Sequence, residues 1–487
     1  MRETSKIVVV VFDGLRPDMV TPTLMPNLHA YSVANSWFRE ARSVFPSMTR
    51  VATSSMATGA MPVIHGIVGN AFYYPEVSRD FVLDVSLASD IALAEAALNG
   101  RFITATTFGD VLAAHGRNLA VVHSGSPGST YAINPGAATN NHWTFSVLGE
   151  AHTKTPHAVR EMVARFGPLP PRNLPRFEEI DYATRVLTEH VLPDINPDVA
   201  LIWFNEPDTS FHYKFLGSEE TLAVLAHVDA AFQRILDTIA ARSDAQDIAL
   251  IIASDHGQIS SSGQVDIAEL LTRAGHPAAK ASARTLDGAA LAVTGGNMGE
   301  IRVLDGDLDR RDAVARWLMA QEFTGMVFTP SDDPILGSVP GTFSTRLVEL
   351  HHPRSPELVY VLRSDTSRDT HGFPGLGLIT GSVPVGGGMH GGLNRHELNT
   401  MLVLGGSAAN GGAMTDVPAG IIDIGPTILD LLGLPQPLSM QGHTLRSAAD
   451  HTVERHLFTA SSGGFVQSLA IARRGGATFL VHGERQG

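Results

Sequence analysis

The chain contains no cysteine. That excludes disulfides, thiolate metal sites and cysteine nucleophiles, and leaves the redox compartment undecided. No apolar run approaches the roughly 18 residues needed to span a bilayer. The amino terminus is polar through Lys6, and the six apolar residues 7–12 that follow end at Asp13 without a small-residue cleavage site. A secretory leader is therefore not expected, and cytoplasmic residence without membrane attachment is. Charge is sparse, 17% of residues, and 49 acidic side chains outnumber 35 basic ones for a net charge of −14. With no long basic run, a nucleic acid polymer is disfavoured as a partner and a small substrate is favoured. Internal repeats are absent as well.

What remains is a chain of 487 residues that is 44% hydrophobic, enough for a large core. It also holds 21 histidines, and a cysteine-free protein that binds a transition metal must draw on them. The apolar segments are short and β-branched: 7–12, Leu119–His123, Val199–Phe204, Ile248–Ala253 and 401–404 read as buried strands. Helical stretches separate them. Residues 218–242 carry Leu222, Leu225, Val228 and Phe232 at spacings of three and four, and 425–432 is stopped by Gly433 and Pro435. Strands alternating with helices predict an α/β fold with a mainly parallel central sheet. Residues 1–143, 178–256 and 389–450 form the expected core. Residues 144–177 and 257–388 read as insertions that build a smaller cap over the active site. The extension 451–487 has two β-type runs around Gly475 and Gly476 and predicts a hairpin, whose free edge could pair with a second subunit.

In open α/β sheets, ligands collect at the carboxyl ends of strands. Asp13 directly follows the first strand. Asp208 and His212 follow Val199–Phe204 at a spacing of four, which places both on one face of a helical turn. Asp255, His256 and Gly257 follow Ile248–Ala253, with the glycine expected to bend the chain away. His390 lies in Gly-Gly-Gly-Met-His-Gly-Gly. Thr49 opens a helix over 47–58 that Gly59 stops, where free N–H groups and the helix dipole stabilise an oxyanion; the plainer role for such a threonine is capping.

Taken in order, these residues resemble the alkaline phosphatase superfamily, and within it the nucleotide pyrophosphatase/phosphodiesterase branch. The resemblance is carried by Asp13, Phe45-Pro46-Ser47-Met48-Thr49, His65-Gly66-Ile67-Val68-Gly69-Asn70, Pro207-Asp208 with His212, Ser254-Asp255-His256-Gly257 and Met389-His390-Gly391. It covers most of 5–440 and implies an alkaline-phosphatase-like core. It also implies two divalent metal ions of zinc type, with manganese compatible with the same ligands. One ion would sit on Asp208, His212 and His390, the other on Asp13, Asp255, His256 and the Thr49 oxygen. The implied activity is hydrolysis of a small phosphate diester through a phosphothreonine intermediate on Thr49, with Asn70 donating to a non-bridging oxygen.

One departure stands out. Nucleotide-cleaving relatives place an aromatic residue after the nucleophile to stack on the base; here it is Arg50. A base platform is in doubt, and Arg50 becomes a candidate substrate-binding residue for a second anionic group. Phosphonoacetate-type C–P hydrolases share the scaffold and lack the aromatic, so they stay open as an alternative, as do phosphomonoesterases. A non-catalytic metal- or phosphate-binding module is the reading from another class, and the retained Thr49 argues against it.

Overall fold

The computed structural model describes residues 4–409 and 414–486. Its centre is a seven-stranded sheet built from β1 (Lys6–Phe12), β2 (Ser36–Trp37), β3 (Leu119–His123), β4 (Trp143–Ser146), β5 (Val199–Phe204), β6 (Ile248–Ala253) and β7 (Leu402–Gly406), in the order β2-β7-β6-β1-β5-β3-β4. The five strands from β6 to β4 run parallel. Only the β2 and β7 edge is antiparallel. β1 shows why the runs are apolar throughout. Ile7, Val9 and Val11 face one buried cluster and Val8, Val10 and Phe12 another, so both faces are covered and neither position in the period-two pattern can be polar.

Helices cover both faces. The helix α1 (Thr49–Thr58) and the helix Ile424–Leu431 bury Val51, Met56 and Ile428 on one side; the helices Phe177–Val186 and Glu219–Ala240 bury Ile180, Leu225 and Phe232 on the other. The ends follow the sequence signals. Ser218 caps Glu219–Ala240 by accepting the Thr221 N–H, and Gly59 closes α1 in the left-handed conformation. Among the described residues, no helix is long and apolar enough to cross a membrane.

The segment 144–177, expected as a cap insertion, does not stand apart from the core. Its first residues complete β4, paired in register with β3, and its helix Pro156–Phe166 packs Ala158, Val159 and Met162 into the same cluster as β1. The physical reason is that Trp143 and Phe145 point to one face of the sheet and need that helix to cover them. The segment 257–388 builds separate layers: a four-stranded sheet, a six-stranded sheet, and a core of their own around Ile301, Val314, Leu318 and Tyr360. In the extension, Phe465–Arg474 and Ala477–Arg485 pair around Gly475 and Gly476, with Val453–Ser462 added as a third strand. The extension joins the other two layers. Leu469 and Phe479 enter the main core, and the Gln467 side chain bonds both the N–H and the carbonyl of Val327 in the six-stranded sheet.

Candidate active site

β5, β1 and β6 are neighbours, so the residues that leave their carboxyl ends arrive at one place. The Asp13 N–H donates to Phe204 O and the Asp208 N–H to Asp13 O, each at 3.0 Å, which laces the first two exits together. At the third, Ser254 donates to Leu15 O and accepts the Met401 N–H, fastening β6 between its neighbours. Gly257 proves necessary for closeness rather than for a bend. A Cβ there would lie 2.1 Å from the His396 carbonyl oxygen.

Asp208, His212 and His390 converge, with one ligand atom from each within 4.8 Å of the others. His212 Nε2 lies 3.3 Å and His390 Nε2 3.5 Å from Asp208 Oδ1. Asp13, Asp208 and His256 form a second such group, so Asp208 belongs to both. His256 Nε2 lies 3.5 Å from Asp13 Oδ1, 3.2 Å from Asp255 Oδ2 and 3.2 Å from Thr49 Oγ1. Five of the residues named in the sequence as metal ligands thus fall in two adjoining groups that share Asp208, while Asp255 and Thr49 lie beside His256. The His256 and His390 rings stack between them at 3.6 Å.

The orientation of each ring follows from its other nitrogen. Nδ1 of His212 faces Gly388 O at 2.6 Å, that of His390 faces Ser47 O at 2.8 Å, and that of His256 faces Gly257 O at 3.1 Å. A carbonyl only accepts, so each Nδ1 carries the proton, and in the neutral ring Nε2 presents a lone pair to the aspartates. The carboxylates show the same division. Asp13 Oδ2 accepts the Trp203 Nε1–H, and Asp255 Oδ1 accepts the N–H groups of Gly14 and His256. Their second oxygens, Asp13 Oδ1 and Asp255 Oδ2, are buried with no hydrogen-bond partner.

Without a cation this arrangement is unfavourable. Burial, together with the charges of Asp255 and Asp208, pushes the Asp13 carboxyl well above its ordinary range; burial likewise raises Asp255 to about 7. Burial acts on Asp208 too, yet His212 holds its carboxyl below the usual range. Burial drives His390 down to about 4 and His256 well below its ordinary value. Burial opposes a charge on His212, but Asp208 raises it. The orphaned oxygens of Asp13 and Asp255, facing the deprotonated His256 ring, are part of the donor set of a divalent cation, whose charge reverses these penalties. The residues present fit such ions.

Thr49 is the first residue of α1, while Met48 occupies the cap position and makes no side-chain cap bond. The Thr49 hydroxyl is thus free of the capping role and points at His256. Asn70 Oδ1 accepts the Arg50 N–H at 3.3 Å, which leaves the amide Nδ2 to donate elsewhere. Buried His65, pushed by burial to about 3, accepts the Ile67 N–H and bonds Ser55, so it shapes the loop that delivers Asn70. The Arg50 Nε–H donates to Ser126 Oγ at 3.1 Å, and its charge reaches Asp13, His212 and His390.

Three participants escaped the sequence reading. Gln258 is fully buried and its Nε2 donates to Asp208 Oδ1. Trp203 pins Asp13, and Ser47 holds His390 by its carbonyl and Gly391 by its hydroxyl. Gln258 directly follows the Asp-His-Gly signal, and that adjacency was the clue available; Trp203 looks like any other residue of an apolar strand.

A mainly parallel sheet with these clusters at its carboxyl edge defines the alkaline phosphatase class of α/β fold. Murine ectonucleotide pyrophosphatase/phosphodiesterase 5 superimposes with a TM-score of 0.61 at 19% identity, covering 89% of this chain and 96% of the other. Phosphonoacetate hydrolase from Sinorhizobium meliloti 1021, solved with phosphonoformate, does so with a TM-score of 0.59 at 18% identity, over 82% and 90%. The type I phosphodiesterase / nucleotide pyrophosphatase family matches residues 7–372, and the chain belongs to it. Venom phosphodiesterase 2 of Crotalus adamanteus is 24% identical over 259 residues, 52% of this chain but 27% of that protein. The chain thus spans about a quarter of the length of the venom enzymes it matches. Bis(5'-adenosyl)-triphosphatase enpp4 of Xenopus laevis is 32% identical over 83 residues, 17% of this chain and 18% of that one.

Proposed function

We propose that the protein hydrolyses a small phosphate diester, with Thr49 as nucleophile and two divalent cations. One ion is assigned to Asp208, His212 and His390, the other to Asp13, Asp255, His256 and the Thr49 oxygen. The observation that carries this is the grouping around His256 Nε2: two aspartate oxygens without partners and the Thr49 hydroxyl lie within 3.5 Å of it. Three carboxylates against two divalent ions leave about one positive charge to hold an alkoxide or phosphate oxygen. When bound, such ions supply the field that acidifies a hydroxyl and stabilises the entering and leaving oxygens of an in-line displacement.

The chain's own groups do the rest. Thr49 Oγ, its proton lost to solvent, attacks phosphorus and forms a phosphothreonine while the bond to one ester oxygen breaks and that alcohol departs. Water then cleaves the phosphothreonine, returning the Thr49 hydroxyl and releasing a monoester. Asn70 Nδ2 donates to a non-bridging oxygen during both steps. Zinc suits the ligand set, and manganese would also be accepted.

Arg50 supports a second reading. Its guanidinium, which donates to Ser126 Oγ by Nε, would clamp a further anionic group by its remaining donors, as a phosphomonoester or phosphonoacetate would carry. The test is to compare kcat/KM of metal-reconstituted protein for bis-p-nitrophenyl phosphate, p-nitrophenyl phosphate and phosphonoacetate. The diester should lead, and Arg50→Ala should cost it less than about tenfold. A leading monoester that Arg50→Ala selectively cripples moves the assignment to a phosphomonoesterase; efficient phosphate release from phosphonoacetate moves it to C–P hydrolysis.

A further inference from the structure

Beside Asn70 and Met48 a cleft of about 760 Å³ opens toward the six-stranded sheet. Glu300, on the strand Met298–Val303, forms part of its wall. The glutamate is only 4% exposed, and its Oε1 is buried with no hydrogen-bond partner. It lies against the loop that delivers Asn70, because a Cβ at Gly69 would sit 2.8 Å from Oε1. A side chain at 69 would push the acid away from that backbone. Thr294 Oγ1 accepts the Glu300 N–H at 2.8 Å and holds the strand in place. Burial pushes the carboxyl up to about 8, so near neutral pH it is an uncharged acid that can both donate and accept. A buried polar atom without a partner costs stability unless something completes it.

The rest of the wall narrows what that could be. Its cations are already matched: Lys280 pairs with Asp266, and Arg284 with Asp90 at 2.6 Å. Asp84 accepts the N–H and hydroxyl of Ser86. Among the described residues no Trp, Tyr or Phe lines the cleft, so nothing there stacks on a base. Apart from the Asp84 carboxylate, whose charge disfavours a second anion, what it offers is neutral hydrogen bonding beside the apolar faces of Met298 and Ile379. We infer that this cleft binds the uncharged, hydroxylated aliphatic alcohol of the diester, with Glu300 as the partner of one of its hydroxyls. The inference rests on the diester reading above.

Two symmetric probes test it whichever ester group enters the cleft: bis(2,3-dihydroxypropyl) phosphate and dipropyl phosphate, of equal carbon skeleton. Titration calorimetry on metal-reconstituted Thr49→Ala protein should show the hydroxylated diester binding about tenfold more tightly, the worth of one good hydrogen bond. Adding Glu300→Leu should bring the two affinities within about twofold, and Glu300→Gln, which keeps an N–H donor, should retain the preference. Equal affinities in the Thr49→Ala protein, or a preference that survives Glu300→Leu, would overturn the cleft assignment. Turnover of bis-p-nitrophenyl phosphate by wild-type protein is scored separately, so loss of the diester reading cannot be mistaken for loss of the cleft.

Discussion

At the carboxyl edge of the main sheet, buried Asp13 and Asp255 and half-buried Asp208 face the Nε2 atoms of three histidines, whereas in the six-stranded sheet Glu300 is buried with its Oε1 alone. Burial raises Asp255 to about 7 and Glu300 to about 8, so desolvation alone does not separate them. Their company does. A solitary acid escapes the cost by keeping its proton. Three carboxylates ringed by imidazoles whose other nitrogens are fixed on carbonyls can also recruit a cation, which satisfies the lone pairs of both residue types at once. A buried carboxyl is therefore informative about metal chemistry only together with the direction in which its neighbours' lone pairs point.

Removing the cations is the strongest way to break this contrast. Chelation should abolish hydrolysis, and elemental analysis before it should find close to two divalent ions per chain; a fully active metal-free preparation would end the reading. Thr49→Ala comes next. It should lower kcat by roughly three or more orders of magnitude while metal content and melting temperature stay near wild type. Normal turnover with only a lower melting temperature would make Thr49 a structural residue.

Gln258→Leu should act on the cluster without touching its ligands. The donor to Asp208 Oδ1 is lost, and metal affinity, read by competition with a chromogenic chelator, should fall roughly 10–100-fold. An unchanged affinity would show that Asp208 is held well enough by its own helix. The last effect falls on stability rather than on the metal cluster and belongs to Glu300. Burial raises its folded value to about 8 from an ordinary 4.5, so the folded state retains the proton that the unfolded chain gives up. The stability linked to that proton is full below about pH 4.5 and is lost as pH rises toward about 8. Glu300→Gln has no such proton to lose. Its melting temperature relative to wild type should climb between about pH 5 and pH 8, by the equivalent of on the order of a few kcal/mol at most, and a difference that stays flat would show that the acid is not desolvated.

Some of this was settled by local sequence. Leu119–His123, Val199–Phe204 and Ile248–Ala253 are legible to the residue because a strand covered on both faces must be continuously apolar. Asp208 and His212 share a helical face because four residues make about one turn. Tertiary structure alone decided the remainder. Strand order brought the exits of β5, β1 and β6 side by side, and pairing of Gly388–Met389 with Ile259 carried His390 to Asp208 across 182 positions of sequence. The segment 144–177 became part of the sheet because Trp143 and Phe145 found a helix to cover them. Gln258 met Asp208, and Glu300 met Gly69, through packing between layers that are distant along the chain. Periodicity reports which face of an element is apolar; which other element covers that face depends on long-range packing, and no local pattern encodes it.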